Sequence, residues 1–355
     1  MRRALLVLLS ALLMPSVFAE SRYAPVVSGK SWVFPRDYGA HADFRTEWWY
    51  VTGWLHTQQN EDLGFQITFF RTKPHAQDAN PSAFAPREIL IAHCAISDPK
   101  HGRLWQDQRI RRAGMGLAAA ATADTDVSIE AWHLQRGAGG YRAKIDAAEF
   151  SLDLTLTESQ PVLLNGAQGL SRKGPDAAAA SYYYSLPHLK VSGTVARQAQ
   201  RQPVAGEAWF DHEWSSEYLN PDAVGWDWVG LNLKDGAALM AFRMRDAQGA
   251  QIWAGGTYRS AAGAQQAFEP SDIRFSANRD WVSPRTAIRY PVQWSLTAGT
   301  QHFEIDALMD DQENDTRLST GAIYWEGAVR AYQEGAEVGR GYLELTGYGE
   351  RLKLR

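Results

Sequence analysis

The sequence predicts an all-β protein, a sandwich or a barrel, and three observations lead to this class. Short runs rich in β-branched and aromatic residues recur along the chain, and Gly, Pro, Asn and Asp turns separate them. Residues 150–156 alternate apolar and polar side chains, as a half-buried strand does. Helix signals are few and short, and the Ala-rich residues 115–126 fit either a short helix or a loop.

The first predicted strands follow an extended, proline-containing arm at residues 21–45. Residues 46–57, a polar turn at 58–62 and the returning residues 63–73 form the clearest hairpin, because both runs are rich in aromatic and β-branched residues. Residues 165–180 carry several Gly and Pro residues and predict a long loop. The remaining predicted strands are residues 88–97, 127–134, 141–145, 149–156, 189–196, 239–245, 252–258, 288–297, 302–308, 321–332 and 341–346.

Composition and charge narrow the class of protein. The chain has 355 residues, of which 45% are hydrophobic and 21% charged, as in folded globular proteins with one large domain or two ordinary ones. The formal net charge of −4 argues against nucleic acid as a partner. The one cysteine, Cys94, excludes an internal disulfide, so stability has to come from the core and from sheet hydrogen bonds.

The N-terminus has the features of a secretory signal. Arg2 and Arg3 precede an apolar run at residues 4–14, and Ala19 ends a loose small-x-small cleavage pattern. We therefore expect residues 1–19 to be a signal peptide and the mature protein to be secreted, or periplasmic if the source is Gram-negative. No later apolar run approaches twenty residues, so we expect no transmembrane segment in the mature chain.

Several familiar catalytic motifs are missing from the sequence. It contains no Gly-x-Ser-x-Gly nucleophile elbow, no His-Glu-x-x-His, no cysteine pair for zinc and no dinucleotide fingerprint. The sequence therefore predicts neither a metal site nor a cofactor.

The most unusual stretch is residues 208–233, which hold four of the fourteen tryptophans among several acidic residues and a histidine. Strand alternation would place Asp211 and Glu213 on one face, and His212 and Trp214 on the other. In the run that follows, Trp226 and Trp228 would share a face, with Asp227 pointing the opposite way. The same rule separates Glu47 and Trp49 from Trp48 and Tyr50, and Trp325 from Glu326.

Two explanations of these clustered aromatic, acidic and histidine residues are open. Tryptophan and tyrosine commonly fill a barrel or a domain joint, and buried acids or a histidine are commonly paired with one another. Alternatively, a carboxylic acid held neutral by apolar walls can protonate an alkene, and indole faces can stabilise the resulting cation. A second carboxylate or a histidine can then activate water.

An internal similarity suggests two related barrels. The run from Trp49 to Arg71 and the run from Trp228 to Arg243 both consist of a strand, a turn and a second strand. Each run ends on an aromatic residue that is followed directly by an arginine. Such a repeat predicts a boundary near residue 220. The unusual stretch would then lie at the joint between the barrels, where ligand sites often form.

Five motifs in order resemble the AttH-like / carotenoid 1,2-hydratase (hydroxyneurosporene synthase) family over nearly all of the mature chain. They are Glu47-Trp-Trp-Tyr-Val-Thr-Gly-Trp-Leu, Trp209-Phe-Asp-His-Glu-Trp-Ser, Gly225-Trp-Asp-Trp-Val-Gly-Leu, Tyr324-Trp-Glu-Gly-Ala-Val and Gly339-Arg-Gly-Tyr-Leu-Glu-Leu-Thr-Gly-Tyr. The resemblance implies two lipocalin-like (calycin-type) antiparallel β-barrels packed side by side. Their expected bounds are residues 20–220 and 221–355.

The resemblance leaves the function open between three classes. One is a secreted protein that binds a hydrophobic lipid or isoprenoid-like ligand, associated with ABC transporter components. The second is a hydro-lyase or isomerase that adds water to an isoprenoid double bond by acid catalysis. A secreted hydrolase is the third, and the ligand itself stays unidentified.

The site residues follow from the second class. Asp227 would be the general acid, with His212 and Glu213 positioning or activating water; the His-x-Trp and Asp of hydratases correspond to His212, Trp214 and Asp227. The expected ligand-binding residues are Trp214, Trp226, Trp228, Trp49, Tyr50, Glu47 and Trp325.

Overall fold

The structure, a computed structural model, describes residues 23–74, 82, 85–198 and 200–351. The predicted signal peptide lies outside these residues. The chain is nearly all β and forms two large antiparallel sheets of 13 and 10 strands, which confirms the predicted fold class of two lipocalin-like barrels. Among the described residues, no helix is both long and apolar enough to cross a membrane.

The first sheet contains strands β1 to β13. Its order is β4-β3-β2-β1-β13-β12-β9-β8-β7-β6-β5, and the short β10 and β11 pair with β12. The first strand therefore pairs with both the second and the last. The strands are β1 Thr46–Thr57, β2 Asp62–Thr72, β3 Ile89–Asp98, β4 Arg103–Arg112, β5 Ala118–Ala120, β6 Asp126–Ile129, β7 Trp132–Gly137, β8 Gly140–Asp146, β9 Phe150–Thr157, β10 Leu163–Leu164, β11 Leu170–Arg172, β12 Ala180–Arg197 and β13 Gln200–Ser215.

The second sheet contains strands β14 to β23 in the order β17-β16-β15-β14-β23-β22-β20-β19-β18, with β21 paired to β22. Residues 216–224 connect the sheets and include position 220, near which the sequence predicted a boundary. The strands are β14 Gly225–Leu233, β15 Ala238–Arg245, β16 Gln251–Arg259, β17 Gln265–Phe268, β18 Ile273–Val282, β19 Arg289–Ala298, β20 Gln301–Ala307, β21 Glu313–Thr316, β22 Ala322–Gln333 and β23 Ala336–Leu345.

Alternation along the strands gives each sheet two apolar faces. On β1, Trp49 and Val51 face the interior of the first barrel, whereas Tyr50 and Trp54 belong to a separate cluster that also contains Trp228 of β14. The molecule consequently has one core inside each barrel and a third between their outer faces. This third core brings polar side chains of both sheets together.

The extended arm before β1 covers the interior of the first barrel. The ring of Phe34 lies 4.4 Å from that of Tyr38 and 5.6 Å from that of Tyr184. The Tyr182 hydroxyl donates to the Val27 carbonyl at 2.8 Å and accepts from its amide at 3.0 Å. The arm therefore occupies space that an open barrel would leave to a ligand.

Close backbone packing on β1 and β13 depends on glycine, and this leads to a stability prediction. A Cβ at Gly206 would lie 1.9 Å from the Trp54 carbonyl oxygen, whereas one at Gly137 would meet nothing within 4 Å. Gly206→Ala should lower the free energy of unfolding by at least about 1–3 kcal/mol, because the two strands have to separate locally. Gly137→Ala is the matched control and should unfold at nearly the wild-type urea concentration. Equal destabilisation of both variants would contradict the packing argument.

Candidate active site between the barrels

A cavity of about 60 Å³ lies between the outer faces of the two barrels. Four carboxyl groups line it, two from each barrel: Asp211, Glu213, Glu326 and Glu344. Most of the remaining wall is aromatic and consists of Trp48, Tyr50, Phe70, Tyr183, Tyr218, Trp226, Trp228 and Tyr324. A cavity of this size holds a small reacting group and a few water molecules.

Strand register explains why the first barrel contributes these groups. In the β1–β13 ladder, Tyr50 lies opposite Asp211, and Trp48 lies opposite Glu213. Each pair is on the outer face, because the intervening Trp49 and His212 point inward. The neighbouring β12 adds Tyr183 beside Glu213. An outer surface that is partly acidic thus forms one wall of the cavity.

The second barrel supplies the other wall by the same rule. Glu344 on β23 lies directly opposite both Trp228 on β14 and Glu326 on β22. Two like-charged residues facing each other across a ladder repel when both are ionised. Burial and this repulsion together favour the neutral form of the pair.

Burial is the largest cause of the raised pKa values of Glu326 and Glu344. It raises the pKa of Glu344 to about 7, against a hydrogen bond from the Trp226 indole, whose Nε1 lies 3.0 Å from Glu344 Oε2. Burial and the nearby Glu344 charge raise the pKa of Glu326 well above its ordinary value. The neighbouring Tyr50 and Tyr324 hydroxyls oppose that rise, but among the described residues Glu326 Oε1 and the Tyr50 hydroxyl have no hydrogen-bond partner of ordinary geometry. Both groups are therefore available to a molecule in the cavity.

Asp211 is held by three donors. Ser185 Oγ and Trp209 Nε1 donate to its Oδ1 at 2.5 and 2.6 Å, and the Tyr183 hydroxyl donates to Oδ2 at 2.7 Å. Burial nevertheless outweighs these hydrogen bonds and raises the pKa of Asp211 to about 7. The Trp228 indole donates to the same Tyr183 hydroxyl at 3.0 Å, so Asp211 and Trp228 are linked across the joint.

Glu213 differs from the other three carboxyls because it is ion-paired. The buried Lys173 Nζ lies 2.8 Å from Glu213 Oε1, and Ser181 donates to the same oxygen. Burial raises the pKa of Glu213 while Lys173 opposes that rise. Of the four cavity carboxyls, Glu213 alone has an ion pair among the described residues. It is consequently the group best suited to carry a negative charge there.

Access to the cavity leads past the connection between the sheets. An outer pocket of about 270 Å³ is lined by Thr46, Tyr218 and Leu219, among others, and both Thr46 and Tyr218 also line the inner cavity. The Tyr218 ring packs edge-on against Trp48 and Trp226, with centroids 4.9 and 5.7 Å apart. Tyr218 thus separates the inner cavity from the outer pocket.

The structure brings four of the residues selected from the sequence into this cavity. They are Glu213, Tyr50, Trp226 and Trp228. Trp226 and Trp228 share a face of β14 and line the cavity, and Asp227 points away from it. The sequence placed Glu213 among the catalytic residues and the three aromatics among the ligand-binding ones, and those roles remain predictions.

Four further selected residues lie inside the first barrel instead: His212, Trp214, Glu47 and Trp49. His212 Nε2 and His41 Nδ1 lie 2.8 and 2.7 Å from Glu47 Oε1, and Arg71 Nε donates to Glu47 Oε2 at 2.9 Å. Trp49 stacks on His212 with ring centroids 4.8 Å apart. This is a buried polar network separated from the cavity by the sheet.

Three residues of this network have the composition of a metal site, because His41, Glu47 and His212 offer ligand atoms within 4.8 Å of one another. Ligand atoms around a tetrahedral zinc at about 2.0–2.1 Å are roughly 3.3 Å apart. The Glu47 oxygen is closer than that to both imidazoles, at hydrogen-bond distance. Burial would raise the pKa of Glu47, but hydrogen bonds from the histidines and the Arg71 charge hold that pKa well below its usual range. The geometry therefore fits protons between these groups better than a cation.

Asp227 and Trp325 lie inside the second barrel. Arg243 Nε and Arg245 Nε donate to Asp227 at 2.6 and 3.0 Å, and the Tyr348 hydroxyl donates at 2.9 Å. The Trp325 indole donates to the Asp310 carbonyl at 2.8 Å. The structure therefore does not bring the expected general acid, Asp227, together with His212 and Glu213: the three lie in three different compartments.

Several residues that line the cavity or pair with its carboxyls were not selected from the sequence. Asp211 shares the Glu213 face by simple alternation, which was a usable signal. Glu326 points opposite to Trp325, so the choice of Trp325 selected the inward face of that strand. Lys173 lies in a Gly- and Pro-containing stretch with no catalytic pattern, and only the folded chain pairs it with Glu213.

The chain belongs to the AttH-like family, whose family model matches residues 25–348; this confirms the resemblance inferred from the motifs. It is similar to a Nitrosomonas europaea protein assigned to AttH, with 52% identity, coverage of 92% of this chain and 99% of that chain, and a TM-score of 0.86.

Two more distant structures share the fold. Kievitone hydratase from Nectria haematococca is 16% identical over 93% of this chain and 98% of that chain, with a TM-score of 0.68. CghA is 12% identical over 86% and 89% of the respective chains, with a TM-score of 0.53. No curated protein matches the chain significantly.

The raised pKa of Glu344 predicts a pH-dependent stability. Its pKa is 4.5 ordinarily and about 7 in the folded chain, so the folded state binds this proton more tightly than the unfolded state. The stability that the proton provides is complete below about pH 4.5 and is lost as the pH rises through 7.

Glu344→Gln removes this titration. Relative to wild type, its free energy of unfolding should rise between pH 4.5 and 7 by up to about 3 kcal/mol and then level off. Urea unfolding across this range measures the difference, and the exposed Glu149→Gln provides the control. A difference that does not change with pH would show that Glu344 is ionised normally.

Asp227→Asn should destabilise the second barrel, because it leaves the buried Arg245 and its neighbour Arg243 without their counter-charge. We expect a loss of about 3–5 kcal/mol in the free energy of unfolding. Asp153→Asn, which breaks an exposed pair with Arg142, is the control and should cost less than about 1 kcal/mol. A D227N protein as stable as wild type would remove the reason for treating Asp227 as structural.

Proposed function

We propose that this protein is a hydro-lyase or isomerase that acts on a double bond of an apolar, unsaturated substrate by acid–base catalysis. The observation that carries the proposal is the cavity between the barrels, where four buried carboxyls face one another inside an aromatic wall. Such a reaction needs only side chains and water, and it relies on a carboxylic acid that is still protonated near neutral pH.

Glu326 is the proposed general acid. Its carboxyl is buried, and its pKa is raised well above the ordinary value by burial and by Glu344. Its Oε1 has no hydrogen-bond partner of ordinary geometry among the described residues. Transfer of its proton to an alkene carbon forms one C–H bond and leaves a carbocation. Desolvated aromatic rings such as Trp226 and Trp228 attract that cation through their π faces.

Glu213 is the proposed general base. Lys173 at 2.8 Å favours its carboxylate form, so it can accept a proton from a water molecule that attacks the cation. Hydration then adds one water across the double bond, with the hydrogen from Glu326 and the hydroxyl from water. Loss of a proton from the cation to Glu213, without attack by water, gives an isomer instead.

The small volume of the cavity argues against the alternative function, which is binding and carriage of a whole lipid. A volume of about 60 Å³ is well below the roughly 300–1,000 Å³ of pockets that enclose whole organic ligands. A carrier gains nothing from four desolvated carboxyls, whereas an acid–base site uses them. We infer that the reactive end of the substrate enters past Tyr218 and that the rest lies in the outer pocket.

The fold of a structural neighbour supports the proposed reaction class, and the N-terminal sequence suggests where the protein acts. The similar fold of a protein named kievitone hydratase agrees with addition of water as the reaction class. The N-terminal sequence leads us to propose export of the mature chain, and copurification tests whether ABC transporter components and lipid ligands are its partners.

The proposal predicts the behaviour of carboxyl variants. The protein is incubated in heavy-oxygen water with an extract of unsaturated lipids, and products are identified by mass spectrometry. Wild type should yield a product heavier by one labelled water, or an isomer with altered retention. Glu326→Gln and Glu213→Gln should each lower the rate by about 100-fold or more, since general acid–base catalysis contributes factors of that size.

Glu149→Gln, on an exposed residue, is the matched control and should keep wild-type activity. A lipid that copurifies unchanged, in equal amount with wild type and both cavity variants, would contradict catalysis and favour carriage. Loss of activity in D227N without loss of stability would return Asp227 to the reaction.

A further inference from the structure

We propose that His93 is the central member of a proton relay between the cavity carboxyls and solvent, running from Glu326 through Tyr324 and His93 to Ser319. The relay deepens the proposed function and rests on it. After one hydration step Glu326 has lost its proton, so it has to be protonated again before the next turnover.

His93 lies on the outer face of the first barrel, pointing toward the second. It is buried, and both ring nitrogens have partners on the other barrel. Its Nδ1 is 2.9 Å from the Tyr324 hydroxyl, and its Nε2 is 2.9 Å from Ser319 Oγ. The Phe70 ring packs against it, with centroids 5.3 Å apart. The imidazole thus spans the joint between two hydroxyl groups.

The inner end of the relay reaches the cavity. Tyr324 and Glu326 both line it, and they share one face of β22 because they are two residues apart. The Tyr324 hydroxyl interacts with the Glu326 carboxyl and opposes the rise of its pKa. Asn314 Nδ2 donates to the same hydroxyl at 3.1 Å, which leaves the hydroxyl proton free to turn toward either Glu326 or His93.

The outer end of the relay reaches the surface turn at residues 317–321. Ser319 is partly exposed, and the neighbouring Leu318 is 88% exposed. Ser319 Oγ donates to Gln108 Oε1 at 2.6 Å. In the sheet, Gln108 lies directly opposite His93, so the same ladder holds both partners of the serine. A proton at Ser319 is therefore at the boundary with solvent.

Two hydrogen-bond arrangements fit the same heavy atoms. In the first, Tyr324 donates to His93 Nδ1, His93 Nε2–H donates to Ser319, and Ser319 donates to Gln108. In the second, Ser319 donates to His93 Nε2, His93 Nδ1–H donates to Tyr324, and Tyr324 donates to Glu326. Every donor has an acceptor in both, so the surroundings accommodate either tautomer of His93.

Inward passage of one proton converts the second arrangement into the first. A hydronium ion gives its proton to Ser319 while the serine proton moves to His93 Nε2. The Nδ1 proton moves to Tyr324, and the tyrosine proton moves to the Glu326 carboxylate. The balance is one hydronium consumed, one water released and one carboxyl protonated. Burial lowers the pKa of His93 to about 3, so the ring passes the proton on without holding a charge.

The test follows the carboxyl proton directly and needs no substrate. The full protein is mixed rapidly with heavy water, and the isotope shift of the protonated carboxyl stretch is followed by infrared spectroscopy. Disappearance of a band in Glu326→Gln assigns that band to Glu326. We expect exchange to be at least about tenfold slower in His93→Gln and Tyr324→Phe than in wild type, because exchange then requires local opening of the joint.

The chosen variants distinguish a proton-transfer role of His93 from a purely structural one. Glutamine at position 93 preserves polarity and approximate volume but cannot switch tautomers as imidazole does, so a purely structural histidine would give wild-type exchange in H93Q. Tyr324→Phe keeps the ring and serves if H93Q does not fold. His56→Gln, an exposed histidine away from the cavity, is the control and should exchange like wild type.

The failures of the relay and of the proposed function are distinguishable. An assigned Glu326 band whose exchange is equally fast in wild type, H93Q and Y324F would overturn the relay and leave the acid role of Glu326 intact. Absence of any Glu326 band at neutral pH would overturn both, since the carboxyl would then be ionised and would have no proton to give or to exchange.

Discussion

Desolvation of carboxyl groups between the barrels is the constraint on which the site depends. Asp211 and Glu213 on one outer face, and Glu326 and Glu344 on the other, lose water when the faces meet, and one ion pair to Lys173 does not compensate all four. The remaining charge is reduced by binding protons instead. Docking of the barrels thus creates the protonated acids, and neither barrel would hold them in this state by itself.

The interiors of the barrels solve a similar problem differently. Glu47 pairs with Arg71, and Asp227 with Arg243, at directly opposite positions of the first hairpin in each sheet. Each of these carboxyl groups therefore has a fixed positive partner, and the pKa of Glu47 is held well below its usual range. A carboxyl group is structural where an arginine faces it, and it belongs to the proposed reaction site where another carboxyl faces it.

The sequence predicted much of the fold and part of the site. Period-two alternation correctly separated Asp211 and Glu213 from His212 and Trp214, because that pattern depends only on local geometry. It could not tell which face was the joint, since β1, β13 and β14 are apolar on both sides. For that reason Glu47, Trp49 and Asp227 were grouped with residues from which the sheets separate them.

Contacts between residues far apart in the chain could not be predicted from the sequence, for a different reason. Glu326 and Glu344 meet through a ladder whose register depends on the entire second barrel, and Lys173 reaches Glu213 only through the loop before β12. Nothing in the local pattern of these segments distinguishes them from ordinary strand or loop residues. The motifs identified the family, but the compartment of each acid follows only from the packed sheets.

Placing the proposed reactive groups on outer faces has an evolutionary consequence. Each barrel keeps its own interior core, and in the first barrel the Phe34 and Tyr38 rings of the arm complete it. Residues at the joint can then diverge without loss of either core, as long as the two surfaces remain complementary. A pair of barrels built in this way offers a lineage a proposed reaction chamber that can vary while the two supporting cores stay the same.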